Sequence, residues 1–127
     1  MSNNLKFYID GAWVAPSGTD VIDVIDPSTE EVYTQIAAGN AADVEKAIAA
    51  AKAAFPIFSQ WPKADRLALL KRILAEYEAR IDDLGAAISQ EMGAPLAFAK
   101  SSQAGSGYAH IKATIEALEA FEFTEQR

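Results

Sequence analysis

The stretch VIDVIDPSTEEVYTQIAAGNAADVEKAIAAAKAAF, residues 21–55, changes from a strand pattern to a helix pattern at Asn40. Its first half contains two runs of mainly β-branched and apolar residues, Val21–Ile25 and Val32–Ala37. The sequence DPST, at 26–29, separates these runs and is typical of a turn, because Pro fixes φ and Asp can bond to the backbone ahead of it. The pattern therefore predicts a β-hairpin.

A helix is predicted directly after this hairpin. Asn40 is a favourable N-cap, and Asp43, three residues later, can complete a capping box. Apolar residues then follow the i, i+4, i+7, i+11 spacing of one helix face: Val44, Ile48, Ala51 and Phe55. Pro56 is expected to end this helix, since proline lacks the backbone N–H that continues it.

A second hairpin signal lies nearer the N-terminus, in YIDGAWV at residues 8–14. Apolar and polar residues alternate on both sides of an Asp10-Gly11 pair, which is a strong short-range hairpin signal. The predicted strands are Phe7–Asp10 and Ala12–Val14. Trp13 is expected to pack on a neighbouring element, because an indole on an isolated ribbon has no stabilising contact.

Helical periodicity continues in the second half of the chain. A second helix is predicted near 63–80, a third helix follows with Gly93 as its C′ residue, and a fourth runs from Leu96 to about Ala120. The buried stripe of the second helix is expected to be Leu67, Leu70, Leu74, Tyr77 and Ile81. The fold class is therefore α+β, with β-hairpins over about 6–38 and four helices over about 40–121.

Length and charge narrow the possible functions. The chain has 127 residues, a formal net charge of -7 and no cysteine. It lacks the basic surface that nucleic acids require, and an anionic membrane would repel it, so we expect neither partner. The first ten residues contain no apolar signal-peptide core, and no apolar run approaches the roughly 20 residues that span a bilayer. A cytoplasmic location is expected.

No cofactor or metal site is predicted from the residues themselves. Gly105-Ser106-Gly107 begins like a dinucleotide-binding fingerprint, but His110 stands where a third small residue is needed and no strand precedes it. Without cysteine, thiolate metal sites are excluded, and the chain has one histidine. The glutamates that recur every third residue turn around a helix and are expected to form a solvated face: Glu116, Glu119, Glu122 and Glu125.

A serine and the single histidine offer one alternative. Ser106 and His110 are four residues apart and can share a helix face, which resembles part of a Ser-His-Asp triad. The sequence positions no carboxylate to orient the histidine, so a surface or interface histidine is the favoured interpretation. A small hydrolase that uses this pair is kept as an alternative, and we assign no catalytic residue.

The order of the motifs resembles the N-terminal part of the aldehyde dehydrogenase superfamily. The matching stretches are FYIDGAWV (7–14), the stretch from Val21 to Trp61, and ADRLALLKRILAEYEARIDDLGAAISQEMGAP (64–95). They match the family patterns F-I-N/D-G-x-W-V, R-x-x-L-L and E-x-G-x-P in order and spacing. One departure is Glu31, where the family usually has glycine, and it suggests a turn that does not need a positive φ at that position.

The resemblance implies an α/β enzyme that oxidises aldehydes to acids with NAD or NADP. In the family, the catalytic cysteine, the glutamate that activates water and the cofactor loop all lie downstream of the matched region. The resemblance therefore implies that residues 1–127 are one incomplete N-terminal part of such an enzyme, with a hairpin region (1–39) and a helical region (40–127). We expect this truncated fragment to hold no cofactor and to be inactive alone.

The resemblance also suggests a place near the substrate. The family helix that matches residues 97–120 lies near the substrate entrance, so Ser102, Ser106 and His110 are the candidates for lining an aldehyde channel in a complete enzyme. The alternative function is an autonomous helical interaction module derived from the family. Because the apolar helix faces lack their usual cover, we expect a homo-oligomer.

Overall fold

The computed structural model describes residues 3–124. The chain forms two compact units, Met1–Gln60 and Trp61–Arg127. The first contains four strands and the first helix, α1 (Ala41–Phe58), and the second contains the remaining helices. The first helix of the chain thus belongs to the same compact unit as the hairpins.

The first hairpin pairs strands β1 (Phe7–Ile9) and β2 (Ala12–Val14), with Ile9 opposite Ala12. Asp10 and Gly11 form the turn, and both adopt positive φ, 53° and 75°. Positive φ at both central residues is the geometry that matches the twist of the flanking strands, and Asp-Gly supplies it at low cost. The predicted hairpin is confirmed, with Asp10 in the turn rather than in β1.

Trp13 packs against the neighbouring strand of its own hairpin. Its ring meets that of Tyr8, the residue opposite, edge to face with centroids 5.3 Å apart. The indole nevertheless stays 52% exposed. The expected contact is therefore a cross-strand pair on the hairpin surface rather than burial in a core.

The second hairpin pairs β3 (Val21–Asp26) with β4 (Glu31–Ala37), with an irregularity in the register between Val24 and Ile25. At its turn, Oδ1 of Asp26 accepts hydrogen bonds from the backbone N–H of Ser28 at 2.8 Å and from its hydroxyl at 2.6 Å. This is the local bonding that the DPST sequence predicts.

As expected, Glu31 does not adopt a positive φ, but the same turn has a positive φ one residue earlier. Glu30 adopts a φ of 62°, and its backbone N–H donates to the carbonyl oxygen of Asp26 at 2.8 Å. The positive φ of this turn thus lies at the residue before Glu31. An L-residue in this region pays a steric cost that glycine avoids.

Helix α1 spans Ala41–Phe58 and begins as predicted. The side chain of Asn40 accepts from the backbone N–H groups of Ala42 and Asp43, and Oδ2 of Asp43 accepts from the N–H of Asn40 at 3.1 Å. The expectation that Pro56 ends the helix is wrong. So close to the C-terminus, proline removes one intrahelical bond, and the next turn is held by the N–H of Ser59 on the carbonyl oxygen of Phe55 at 2.8 Å.

The second unit begins with α2 (Lys63–Ala79) and α3 (Ile81–Met92), which follow the predicted bounds closely. Gly93 ends α3 with a left-handed φ of 71°, as its predicted C′ role requires. The fourth predicted helix exists, but its regular α-helical form is interrupted. It consists of α4 (Leu96–Phe98), a π-helix (Ala99–Ala104) and α5 (Gly105–Ala120). Two hairpins followed by four helices confirm the α+β fold class.

The buried core is small in residues 3–124. Its hydrophobic members are three alanines and one isoleucine: Ala37, Ala99, Ala104 and Ile115. The predicted stripe is half-buried, but its last member, Ile81, begins α3 rather than lying on α2. On α1, Val44, Ile48 and Phe55 are exposed. Much apolar surface is thus uncovered on hairpins and helices alike. None of the helices described is long and apolar enough to cross a membrane.

Candidate functional site

The three candidate residues lie along the fourth helix. Ser102 belongs to the π-helix, whereas Ser106 and His110 belong to α5, and all three are exposed. A π-helix has about one residue more per turn than an α-helix and often marks a functional position. The sequence predicted all three residues on one regular α-helix. It did not predict the π-helix at Ala99–Ala104.

The Ser106 hydroxyl is used within its own helix. It donates to the carbonyl oxygen of Ser102 at 2.7 Å, and that oxygen also accepts the backbone N–H of Gly105. In the part of the chain that the structure describes, no hydrogen bond joins Ser106 to His110. The geometry therefore gives no support to the alternative of a serine nucleophile activated by histidine, which needs that bond.

A tyrosine from α2 contacts the junction between the π-helix and α5. The hydroxyl of Tyr77 donates to the carbonyl oxygen of Ala104, the last π-helical residue, at 2.8 Å. The ring lies directly against Gly107, where an added Cβ would meet the hydroxyl and lie 2.7 Å from Cζ. Glycine is thus required at 107 for α2 to approach α5 this closely.

Helix α3 also contacts the π-helix. A Cβ added at Gly85 would lie 2.8 Å from the Cα of Lys100, so the two backbones are nearly in contact. Lys100 also extends its amine to Oδ1 of Asp82 at 2.9 Å. The π-helix is therefore held from α2 through Tyr77 and from α3 through Gly85.

Gln103 is a residue of this site that the sequence analysis missed. Its side-chain oxygen Oε1 is buried and has no hydrogen-bond partner among the described residues. A buried acceptor without a donor costs about 1–3 kcal/mol. Nothing in the local sequence distinguishes Gln103, because its burial depends on the helices packed around it.

The glycines of the fourth helix do not fit a dinucleotide. Gly105, Ser106 and Gly107 lie in the first turn of α5, which continues directly from the π-helix without an open loop, and Gly107 is covered by Tyr77. A phosphate cradle needs a loop whose N–H groups point at the ligand.

Within residues 3–124, no three His, Asp or Glu side chains converge on a metal position. Glu125 of the predicted acidic face lies outside the described residues.

The first unit contains a buried carboxylate with a different role. Asp43 is 5% exposed, and its Oδ1 accepts from the hydroxyl of Ser17 at 2.6 Å and from the backbone N–H of Ser17 at 2.8 Å. The Ser17 hydroxyl lowers the pKa of Asp43 below its ordinary value, and although burial opposes the shift, the N–H groups of Asn40 and Ser17 and the charge of Lys46 add to it. This cluster attaches the loop after the first hairpin to the start of α1. The sequence identified Asp43 but missed Ser17.

An open groove runs along α2 and α3 in the second unit, with a volume of about 720 Å³. Its walls include Ile73, Tyr77 and Leu84, with Arg72 and Arg80 beside them. Arg80 is paired with Glu76 at 3.1 Å. The groove presents mainly apolar surface, and among its described lining the Glu76 carboxylate is paired with Arg80 and the Tyr77 hydroxyl is bonded to Ala104, so it offers contact area rather than chemistry.

Comparison with known proteins gives one consistent result. The sequence profile of the aldehyde dehydrogenase family matches residues 13–126. A Staphylococcus aureus protein whose name assigns it to the aldehyde dehydrogenases is 42% identical over all 127 residues. Those residues cover 27% of that relative, so the chain spans about a quarter of its length.

Two solved structures have the same backbone. A Bartonella henselae aldehyde dehydrogenase is 43% identical and superposes with a TM-score of 0.95, over 98% of this chain and 26% of the other. A Cys→Ala variant of aldehyde dehydrogenase C from Pseudomonas syringae, in complex with NAD+ and octanal, is 38% identical with a TM-score of 0.96 and the same coverage. The chain matches the N-terminal part of such structures.

Proposed function

The chain belongs to the aldehyde dehydrogenase family, and we propose that it supplies the N-terminal segment of an NAD(P)-dependent aldehyde dehydrogenase. The observation that carries this proposal is the near-complete superposition on a relative in complex with NAD+ and octanal. A backbone preserved over both hairpins and all four helices supports the same packing role here. The segment contributes scaffold rather than reacting groups.

The chemistry of the family requires groups that these residues do not include. A covalent aldehyde adduct needs a thiolate, and the 127 residues contain no cysteine. Gly105 and Gly107 do not fit the pyrophosphate of a dinucleotide, so we assign the cofactor to the rest of the enzyme. We therefore expect residues 1–127 alone to catalyse no aldehyde oxidation.

We assign the substrate side of the segment to the fourth helix. Ser102, Ser106 and His110 are exposed along it, which supports a role in lining the channel through which an aldehyde enters a complete enzyme. The contribution of these residues is contact and shape, because within residues 3–124 none of them is paired with a catalytic partner.

A chimaera tests the proposal. Residues 1–127 would replace the matching segment of wild-type Pseudomonas syringae aldehyde dehydrogenase C, and NADH formation with octanal would be followed by absorbance. We expect the chimaera to be active and the 127-residue chain to be inactive at equal concentration. A folded chimaera without activity would contradict the proposal, as would activity of the chain alone that scales with protein and disappears on heating.

A second candidate function is a module for association with another copy of the chain. The exposed apolar side chains of α1 and of the second hairpin favour it, because patches of this kind mark interaction surfaces. A homo-oligomer, a cytoplasmic location and the absence of a nucleic-acid partner remain predictions. Light scattering coupled to size exclusion distinguishes this candidate, since a pure scaffold segment need not self-associate.

A further inference from the structure

We propose that Tyr77 is a positioning residue that maintains the π-helix Ala99–Ala104 and thereby sets how Ser102 is presented to an aldehyde. This inference rests on the proposed function, because it concerns the same substrate-facing helix. In this proposal the hydroxyls of Tyr77 and Ser106 bond to the helix backbone, and the hydroxyl of Ser102 contacts the aldehyde.

The π-helix changes where residues point. An α-helix turns about 100° per residue, so one extra residue in a turn rotates everything before it by about 100° relative to everything after it. Ser102 lies inside the π-helix, and Ser106 and His110 lie beyond it. Loss of the π-helix would therefore rotate Ser102 relative to Ser106 and His110 and change the direction in which its hydroxyl is presented.

Contacts from outside the helix keep it in the π form. The Tyr77 hydroxyl donates to the carbonyl oxygen of Ala104 at 2.8 Å, and the absence of a side chain at Gly107 lets the ring reach that carbonyl. A second contact comes from α3, where Gly85 allows that helix to approach the backbone of Lys100. A π-helix has poorer intrinsic geometry than an α-helix, so external contacts of this kind decide which form persists.

The hydroxyls of the helix divide into used and unused groups. Ser106 donates to the carbonyl oxygen of Ser102 at 2.7 Å, and Ser101 donates to that of Ala97 at 2.8 Å. The Ser102 hydroxyl makes no hydrogen bond within residues 3–124. Ser102 is thus the serine of this helix that is free to bond a substrate, whereas Ser106 stabilises the turn that carries it.

The first test measures the helix itself. Amide hydrogen exchange of the 127-residue chain would be compared between wild type, Tyr77→Phe and the control Tyr108→Phe. Tyr108 is also half-buried, and its hydroxyl has no bond among the described residues. We expect Tyr77→Phe to accelerate exchange in residues 99–105 at least threefold, consistent with loss of one hydrogen bond. Equal exchange in the two variants would overturn the role of Tyr77.

The second test measures presentation to substrate in the chimaera. We expect Tyr77→Phe and Ser106→Ala to raise KM for octanal about 3–10-fold with kcat changed less than twofold, and Tyr108→Phe to change neither. Such a split indicates altered binding rather than loss of folded enzyme. An unchanged KM, or a fall in kcat alone, would overturn the inference.

The two tests also separate this inference from the proposed function. An inactive but folded wild-type chimaera would overturn the proposed function and, with it, the substrate-facing role of Ser102. A fully active chimaera in which Tyr77→Phe changes neither exchange nor KM would overturn the positioning role alone.

Discussion

The hydroxyl of Ser17 donates to Oδ1 of Asp43 at 2.6 Å and joins the loop after the first hairpin to the capping box of α1. This bond lowers the pKa of Asp43 in the folded chain, so folding favours the ionised carboxylate. The stability that results is present above the unfolded pKa of about 3.9 and is lost as the pH falls through the lower folded value.

We therefore expect Ser17→Ala to be less stable than wild type at pH 7, and the difference to narrow as the pH falls below about 4. Urea unfolding between pH 2 and 7 measures it. Ser101→Ala is the control, because it removes a hydroxyl bonded to a backbone carbonyl, so its deficit should not depend on pH. If the free energies of unfolding of Ser17→Ala and wild type differ by the same amount at every pH, the bond does not stabilise the ionised form of Asp43.

The positive φ of Glu30 gives a second prediction. Glu30→Gly should relieve a steric cost of about 1–2 kcal/mol and pay about 0.5–1 kcal/mol in backbone entropy, so we expect a gain of up to about 1 kcal/mol. Glu31→Gly, within β4, has no such strain to relieve and should destabilise. Thermal unfolding of both variants measures the difference, and a loss of stability in Glu30→Gly would contradict it.

The close approach of α3 to the π-helix gives a third prediction. Gly85→Ala places a methyl group 2.8 Å from the Cα of Lys100, so α3 must shift, at a cost of about 1–3 kcal/mol. Gly105→Ala is the matched control: its nearest neighbour would lie 4.0 Å away, and helix propensity favours alanine by up to about 1 kcal/mol. In denaturant unfolding, the free energy of unfolding should fall for Gly85→Ala and rise for Gly105→Ala. An equal change in the free energy of unfolding of both variants would mean that the close contact at Gly85 is readily relieved.

Features that depend on neighbouring residues could be predicted from the sequence. The capping box at Asn40 and Asp43 closes within three residues, and Asp10-Gly11 defines its turn by its own φ preferences. Pro56 was misjudged because proline removes one intrahelical bond and crowds the preceding turn, which can bend a helix without ending it. Near the end of α1, one lost bond does not stop the helix.

The geometry of the candidate site depends on contacts between distant residues. Tyr77 lies 27 residues from Ala104, and Ser17 lies 26 residues from Asp43. Neither contact leaves a periodic signal, so the sequence could place Ser102, Ser106 and His110 on one helix but could not predict the π-helix or the acceptor of the Ser106 hydroxyl. The predicted helix from Leu96 to about Ala120 has the right bounds, but the prediction that it is a regular α-helix throughout is wrong.

Self-association is the last prediction. On α1, Phe55 is 67% exposed and Ile57 is 72% exposed, and apolar side chains of this size in clusters favour a second copy, most often through a two-fold interface. The net charge of -7 opposes association weakly at 0.15 M salt, where charges more than about 8 Å apart are screened. We expect the 127-residue chain to form a dimer or larger oligomer at high micromolar concentration in light scattering coupled to size exclusion.

A paired substitution on α1 tests which surface is responsible. Phe55→Gln with Ile57→Gln removes two exposed apolar side chains, each worth about 1.5–3 kcal/mol if fully buried between copies, so dimerisation should weaken at least about tenfold while stability changes little. Lys52→Gln, exposed on the same helix, leaves the apolar surface intact and should behave as wild type. A monomeric wild-type peak with cooperative unfolding would show that the chain needs no second copy. An oligomer unaffected by the paired substitution would place the interface away from the end of α1.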